Sequence, residues 1–76
     1  MNLYQLDNES TGIIDAVNNP VDSKVRLAEM GIMLGVEVRM IKKTPFNGPV
    51  HIKINNYYLT LRKEDAEMIS IKKEIK

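Results

Sequence analysis

A chain of 76 residues with 11 basic and 10 acidic side chains, a net charge of +1 and no cysteine has room for one core and not for two. The missing cysteines exclude disulfides, thiolate metal sites and a cysteine nucleophile together, and the near-neutral balance excludes a strong overall field toward phosphate backbones or anionic lipid. No run of about 18 apolar residues offers a bilayer span, and Met1 to Leu6 reads as no leader, so the expectation is a soluble cytoplasmic domain.

Leu3-Tyr4-Gln5-Leu6 is a short apolar run stopped by Asp7-Asn8-Glu9-Ser10, and Gly12 to Val17 is a second, stopped by Asn18-Asn19-Pro20. Both predict strands. The period then turns helical. Asp22 or Ser23 can cap a first turn, Val25, Ala28 and Met30 fall near one face, and Gly31 stands where a left-handed terminator is wanted, which predicts a helix over about Ser23 to Met30.

After Gly35 the chain alternates again. Val36-Glu37-Val38-Arg39-Met40 and Val50-His51-Ile52-Lys53-Ile54 have period two and flank the loop Thr44 to Pro49, so they predict a hairpin. If both apolar sets share a core, Val38 or Met40 must oppose Ile54; a slip of one residue would turn one strand inside out. Asn55-Asn56 is a turn pair that tolerates positive φ, after which Tyr57, Leu59 and Leu61 share a face. Lys63 to Glu67 predicts a helical turn leading into a last strand at Ile69-Ser70-Ile71. The charged run Lys72-Lys73-Glu74-Ile75-Lys76 is expected to fray.

Five or six short strands with one helix inserted early are too few for a sandwich. A small β-barrel protects its edges with the least chain.

The search for chemistry returns little. His51 lies on the outward face of a strand with no nucleophile pattern around it. Glu29, Glu64, Asp65 and Glu67 could join His51 as hard oxygen and nitrogen donors, yet Glu64-Asp65 equally suits the first turn of a helix, where free amides favour negative charge. The four glycines form no phosphate-binding loop. Arg39, Lys42, Lys43, Lys53, Arg62 and Lys63, with Tyr57 and Tyr58, would make a nucleic-acid face if they converged, but polar outward strand positions account for most of them. Leu27, Met30, Ile32, Met33 and Leu34 carry more apolar surface than one short helix buries easily. Leu27 and Met30 suit a core at least as well, which leaves Met33 and Leu34 as the better exposed candidates.

Four stretches taken in order, Arg26-Leu27-Ala28-Glu29-Met30-Gly31-Ile32, Gly35-Val36-Glu37-Val38, Gly48-Pro49-Val50-His51-Ile52 and Leu59-Thr60-Leu61-Arg62, resemble the ferrous iron transport protein A (FeoA) family and the related C-terminal domain of iron-dependent repressors. The likeness covers nearly the whole chain. The chain departs from the family in having Asn8-Glu9 where Pro-Gly is frequent, and Leu34 where a proline precedes the turn glycine. The resemblance implies one mainly β, SH3-like barrel over residues 1–76, a non-enzymatic cytoplasmic accessory of ferrous iron uptake that assists FeoB, a membrane transporter with a GTP-binding domain. Its expected contact residues are Leu27, Met30, Met33 and Leu34, with Pro45, Phe46 and Pro49 at the edge. No cofactor is required and no dedicated metal ligands are expected, although weak binding of ferrous iron fits the family. The alternative is a metal-responsive or nucleic-acid-binding SH3-like regulator module. Near-neutral charge opposes nucleic acid, and the absence of a helix-turn-helix pattern opposes independent DNA binding. No constellation of groups suggests an enzyme.

Overall fold

The computed structural model describes residues 1–73; Glu74, Ile75 and Lys76, part of the charged run expected to fray, lie outside the described residues. Its first element corrects the reading of Leu3 to Leu6 as a strand. Leu3–Gln5 is a 3-10 turn, because Asn2 and Gln5 cap each other: the Asn2 amide donates to the Gln5 side chain at 2.8 Å and the Gln5 amide to the Asn2 side chain at 3.0 Å. Three residues per turn then place Leu3 and Leu6 on one face, and both are fully buried.

Five strands follow, β1 (Thr11–Val17), β2 (Glu37–Lys43), β3 (Val50–Ile54), β4 (Tyr57–Leu61) and β5 (Ile69–Lys73), with helix α1 (Val21–Glu29) between β1 and β2 and the short helix α2 (Lys63–Glu67) between β4 and β5. All pairs are antiparallel, and the sheet order is β4-β3-β2-β1-β5. β5 therefore pairs with β1 and not with β4, and the ladder stays open between its two ends. The inward residues of every strand, among them Ile14, Val38, Met40, Ile52, Ile54 and Ile71, fill one core with Leu3, Leu6 and Leu27.

Val38 opposes Ile54 and Met40 opposes Ile52, as matching apolar faces demand. Past Met40 the register slips by one, with Lys42 opposite His51 and Lys43 opposite Val50. A regular ladder with both apolar faces inward excludes that offset. A β-bulge at Ile41 makes it possible, since the extra residue lets β2 change face while Val50 stays buried. Lys43 is thereby half-buried, its ammonium 5.5 Å from the centre of the Tyr4 ring.

Helix α1 starts earlier than expected. Pro20 is the N-cap residue without a side-chain cap, and neither Asp22 nor Ser23 serves as one; Asp22 instead adds negative charge to the first turn. Its end follows the expectation. Gly31, at φ 96, donates its amide to Ala28 O at 2.9 Å, and Ile32 donates to Leu27 O at 2.9 Å. These two bonds form a Schellman motif, and Ile32 and Leu27 are buried together beneath it.

The inward face of α1 is not the one the spacing suggested. Leu27 is 0% exposed, whereas Val21 and Val25 are exposed large apolar residues and Ala28 is exposed as well. Leu27 alone is fully buried because the short helix touches the sheet along one line and ends at the Gly31 turn.

Candidate functional site

The turn that buries Ile32 throws the next two side chains outward. Met33 is 50% and Leu34 is 67% exposed, and Gly35 at φ 84 closes the turn by donating to Ile14 O at 2.8 Å. Between this exit, the end of β1 and α1 lies a groove of about 460 Å³. Val17, Ala28, Ile32, Met33 and Leu34 give it an apolar lining, with Asp15 and Lys24 at its margin. Val21 and Val25 stand two turns and one turn from Ala28 on the same helix face, so an exposed apolar stripe on α1 leads into the groove. Exposed apolar patches are where contact surfaces are found in proteins generally, and this one is the candidate here. The i, i+4, i+7 spacing of Val21, Val25 and Ala28 carried that signal in the sequence, though there it pointed to the core.

Of the expected contact residues, Leu27 is corrected to a core residue, 0% exposed. Met30 is half-buried against the core, and its carbonyl accepts the Tyr57 hydroxyl at 2.5 Å. Pro45, Phe46 and Pro49 do not join Met33 and Leu34. β2 runs between the two groups, and seven residues at about 3.3 Å each separate them by roughly 20 Å.

The β2–β3 loop is nonetheless built to present one side chain. Thr44 donates from its amide and its hydroxyl to Pro49 O, at 3.2 and 2.7 Å, and Gly48 donates to Pro45 O at 3.3 Å. On this bonded frame Phe46 is 98% exposed and sits at φ 60. A bulky residue in the left-handed region costs roughly 1–2 kcal/mol, and here no burial offsets it. Phe46→Gly is accordingly expected to raise stability by about 0.5–1 kcal/mol, after the greater freedom of glycine in the unfolded chain is counted. A urea melt measures this; a loss of stability would show that the ring packs on the domain.

The metal candidates are dispersed. No three of the described His, Asp and Glu residues cluster as metal ligands. His51 Nδ1 meets the Thr60 hydroxyl at 3.2 Å, Glu67 pairs with Lys63 at 3.5 Å, and Asp65, 6% exposed, is held by arginines. Arg62 approaches its carboxylate at 3.1 and 3.3 Å and Arg26 at 3.5 Å, while the Asp65 carbonyl accepts Asn19 Nδ2 at 3.2 Å. Asp65 thus ties α1, α2 and the β1–α1 link at one point. Its hydrogen bond and charge raise the Arg62 pKa above the ordinary arginine range. A raised pKa adds stability that is fully present below that range and lost only as pH climbs beyond it. The Arg62 titration therefore makes no contribution to pH dependence near neutrality.

The basic residues are mostly matched. Arg39 bonds Glu9 at 2.7 Å, Lys63 lies 5.4 Å from the centre of the same Tyr4 ring as Lys43, and Lys53 lies 5.7 Å from that of Tyr58. They do not make a continuous groove of free cations.

A small antiparallel sheet curled around one core, with a short helix inserted after its first strand, belongs to the SH3-like domains. The FeoA domain model matches residues 1–73, and the chain belongs to that family. Over 71 residues it is 30% identical to the Fe(2+) transport protein A/Fe(2+) transporter FeoB fusion protein of Porphyromonas gingivalis, covering 93% of this chain and 8% of that protein. The chain thus spans a small part of the curated relative it matches. The solution structure of iron(II) transport protein A from Clostridium thermocellum superposes with a TM-score of 0.90 at 27% identity, over 96% of this chain and 45% of that one. Stenotrophomonas maltophilia FeoA, solved with zinc and described as a prokaryotic SH3 domain protein, gives 0.81 at 26% identity, over 95% and 89%. A manganese-dependent transcriptional repressor shares the fold, with a TM-score of 0.86 at 20% identity over 97% of this chain and 41% of that one.

Proposed function

We propose that this chain is a non-enzymatic accessory of ferrous iron uptake that docks on the cytoplasmic part of a FeoB-type transporter. The observation that carries this reading is the relative in which the same domain is fused to FeoB, because a fusion keeps two partners at high effective concentration where their contact matters. Among the described residues no helix is long and apolar enough to cross a membrane, which suits a module that reaches the membrane through its partner. The contact surface is the groove at Met33 and Leu34 with the stripe Val21, Val25 and Ala28. Phe46, at the far end of β2, makes a second and separate contact. Such a surface is small, and a few apolar anchors inside a polar rim give a transient complex suited to regulation.

Zinc in the Stenotrophomonas relative supports weak transition-metal binding as a secondary property. The dispersed carboxylates favour protein contact as the main role.

The test is an NMR titration of the labelled domain with the soluble cytoplasmic region of a FeoB-type transporter, and separately with ferrous iron under anaerobic conditions. Shifts at Val25, Met33, Leu34 and Phe46 with the protein partner are expected, and Leu34→Glu is expected to weaken binding at least about ten-fold, or 1.4 kcal/mol, with its denaturation midpoint unchanged. Shifts confined to other faces would overturn the surface. Saturation by iron alone at His51 or Glu64 to Glu67 would replace docking by metal sensing.

A further inference from the structure

The two edges of the sheet are treated differently. Beyond β5 the N-terminal segment lies along the strand: Ile71 donates its amide to Met1 O at 2.8 Å, and Asn2 bridges to Ser70. The strand also ends in two lysines, a common guard of an open edge. β4 has neither device. Tyr57-Tyr58-Leu59-Thr60-Leu61 carries no charge and no proline, and its pairing with β3 is regular.

The tight turn at Asn55-Asn56 pairs Ile54 with Tyr57, Ile52 with Leu59 and Val50 with Leu61. In a two-residue hairpin these are the hydrogen-bonded pairs, so the alternate residues Tyr58 and Thr60 aim their amides and carbonyls away from β3. Among the described residues no backbone bond outside the ladder reaches either of them. Beside this edge runs a cleft of about 360 Å³, walled by Arg26 of α1, by Met30 at its C-cap and by Thr60, Arg62 and Asp65, with Leu61 in its floor. Two guanidinium groups of the lining share one lining carboxylate, that of Asp65, so the lining itself holds one positive charge in excess, while the Glu64 charge acts on Arg62 from outside it. Arg26 and Met30 point from the opposite side of α1 to Lys24 and Ala28, so the cleft is distinct from the Met33–Leu34 groove.

We propose that the β4 edge and its cleft take an extended peptide segment of another protein that bears an acidic side chain, adding to the sheet as a sixth strand. Tyr58 and Thr60 supply the main-chain hydrogen bonds that hold it. Alternate side chains of the segment enter the cleft against Met30 and Leu61, and its carboxylate meets Arg26 and Arg62. A second copy of this chain is the poorer occupant, because β4 against β4 gathers the arginines of both copies at one seam and brings only Asp65 carboxylates that are already paired with them.

Two blocked hexapeptides of alternating valine and threonine, one with a central glutamate and one with a central lysine, test it against the labelled full chain. The glutamate peptide is expected to slow amide exchange at Tyr58 and Thr60 at millimolar concentration and to bind about ten-fold more tightly than the lysine peptide. Arg26→Gln, which leaves the Arg62 to Asp65 pair in place, is expected to remove most of that preference, while Leu34→Glu leaves it intact. Unchanged exchange at both amides, or equal affinity for the two peptides, would overturn the proposal. Protection that rises with protein concentration alone would assign the edge to a second copy instead.

Discussion

Leu27→Ala is expected to destabilise the domain by about 2–5 kcal/mol, the range for removing a buried leucine and leaving a cavity. Leu27 is the fully buried residue of α1, 0% exposed, so no neighbour on the helix can take over its place. Its carbonyl also accepts the Ile32 amide that locks the helix end. A domain of this size holds only a few kcal/mol in total. The variant should therefore unfold at low urea or lose α1 from the fold, and the comparison with Val25→Ala is decisive. Val25 is exposed, so its truncation should change the urea midpoint little. Equal losses at the two positions would mean that the helix packs on its other face.

Gly31→Ala is expected to cost about 1–3 kcal/mol. A side chain at φ 96 pays roughly 1–2 kcal/mol in the left-handed region, partly offset through the unfolded chain. The new methyl would also land on the Tyr57 hydroxyl and break its bond to Met30 O, a net loss of about 0.5–1.5 kcal/mol. The pair can be separated by a double-mutant cycle with Tyr57→Phe. If the hydroxyl is the obstacle, Gly31→Ala should cost less in the Tyr57→Phe background than in the parent chain. Strict additivity would place the whole cost in the backbone.

The strands were legible because alternation is a local property: Val38, Met40, Ile52 and Ile54 announce their face with no knowledge of the rest of the fold. The Gly31 terminator was legible for the same reason. Three features were not. The 3-10 turn at Leu3–Gln5 was hidden because Leu3 and Leu6 fit a short apolar strand run, and the Asn2 and Gln5 capping pair is the clue that decides between them. The bulge at Ile41 goes with the placing of Lys43 beside the Tyr4 ring, a contact that no window of β2 and β3 contains. The face of α1 is not legible because Val25 and Ala28 are as apolar as Leu27. Only the position of the sheet tells which of them is covered. The same ambiguity explains the site: Met33 and Leu34 were found as surplus apolar residues, while Val21, Val25 and the cleft beside β4 required the packed structure.

The departure at Asn8-Glu9 finds a physical account as well. Glu9 adopts φ 69, a conformation that glycine enters freely, and there its amide donates to Met40 O at 2.7 Å while its carboxylate holds Arg39. The chain accepts backbone strain and gains an ion pair that glycine could not make.

The order β4-β3-β2-β1-β5 also sets the sequence of events by which the domain assembles. β2, β3 and β4 are joined by short turns, so their ladders close over small loops and can form early. β1 and β5 unite the two ends of the chain, with Gly12 opposite Lys73, and their closure must wait for the largest entropic step. The β1–β5 zipper should therefore be the last ladder to form and the first to open. A three-strand meander with an unsealed core would be the species most exposed to aggregation on the way.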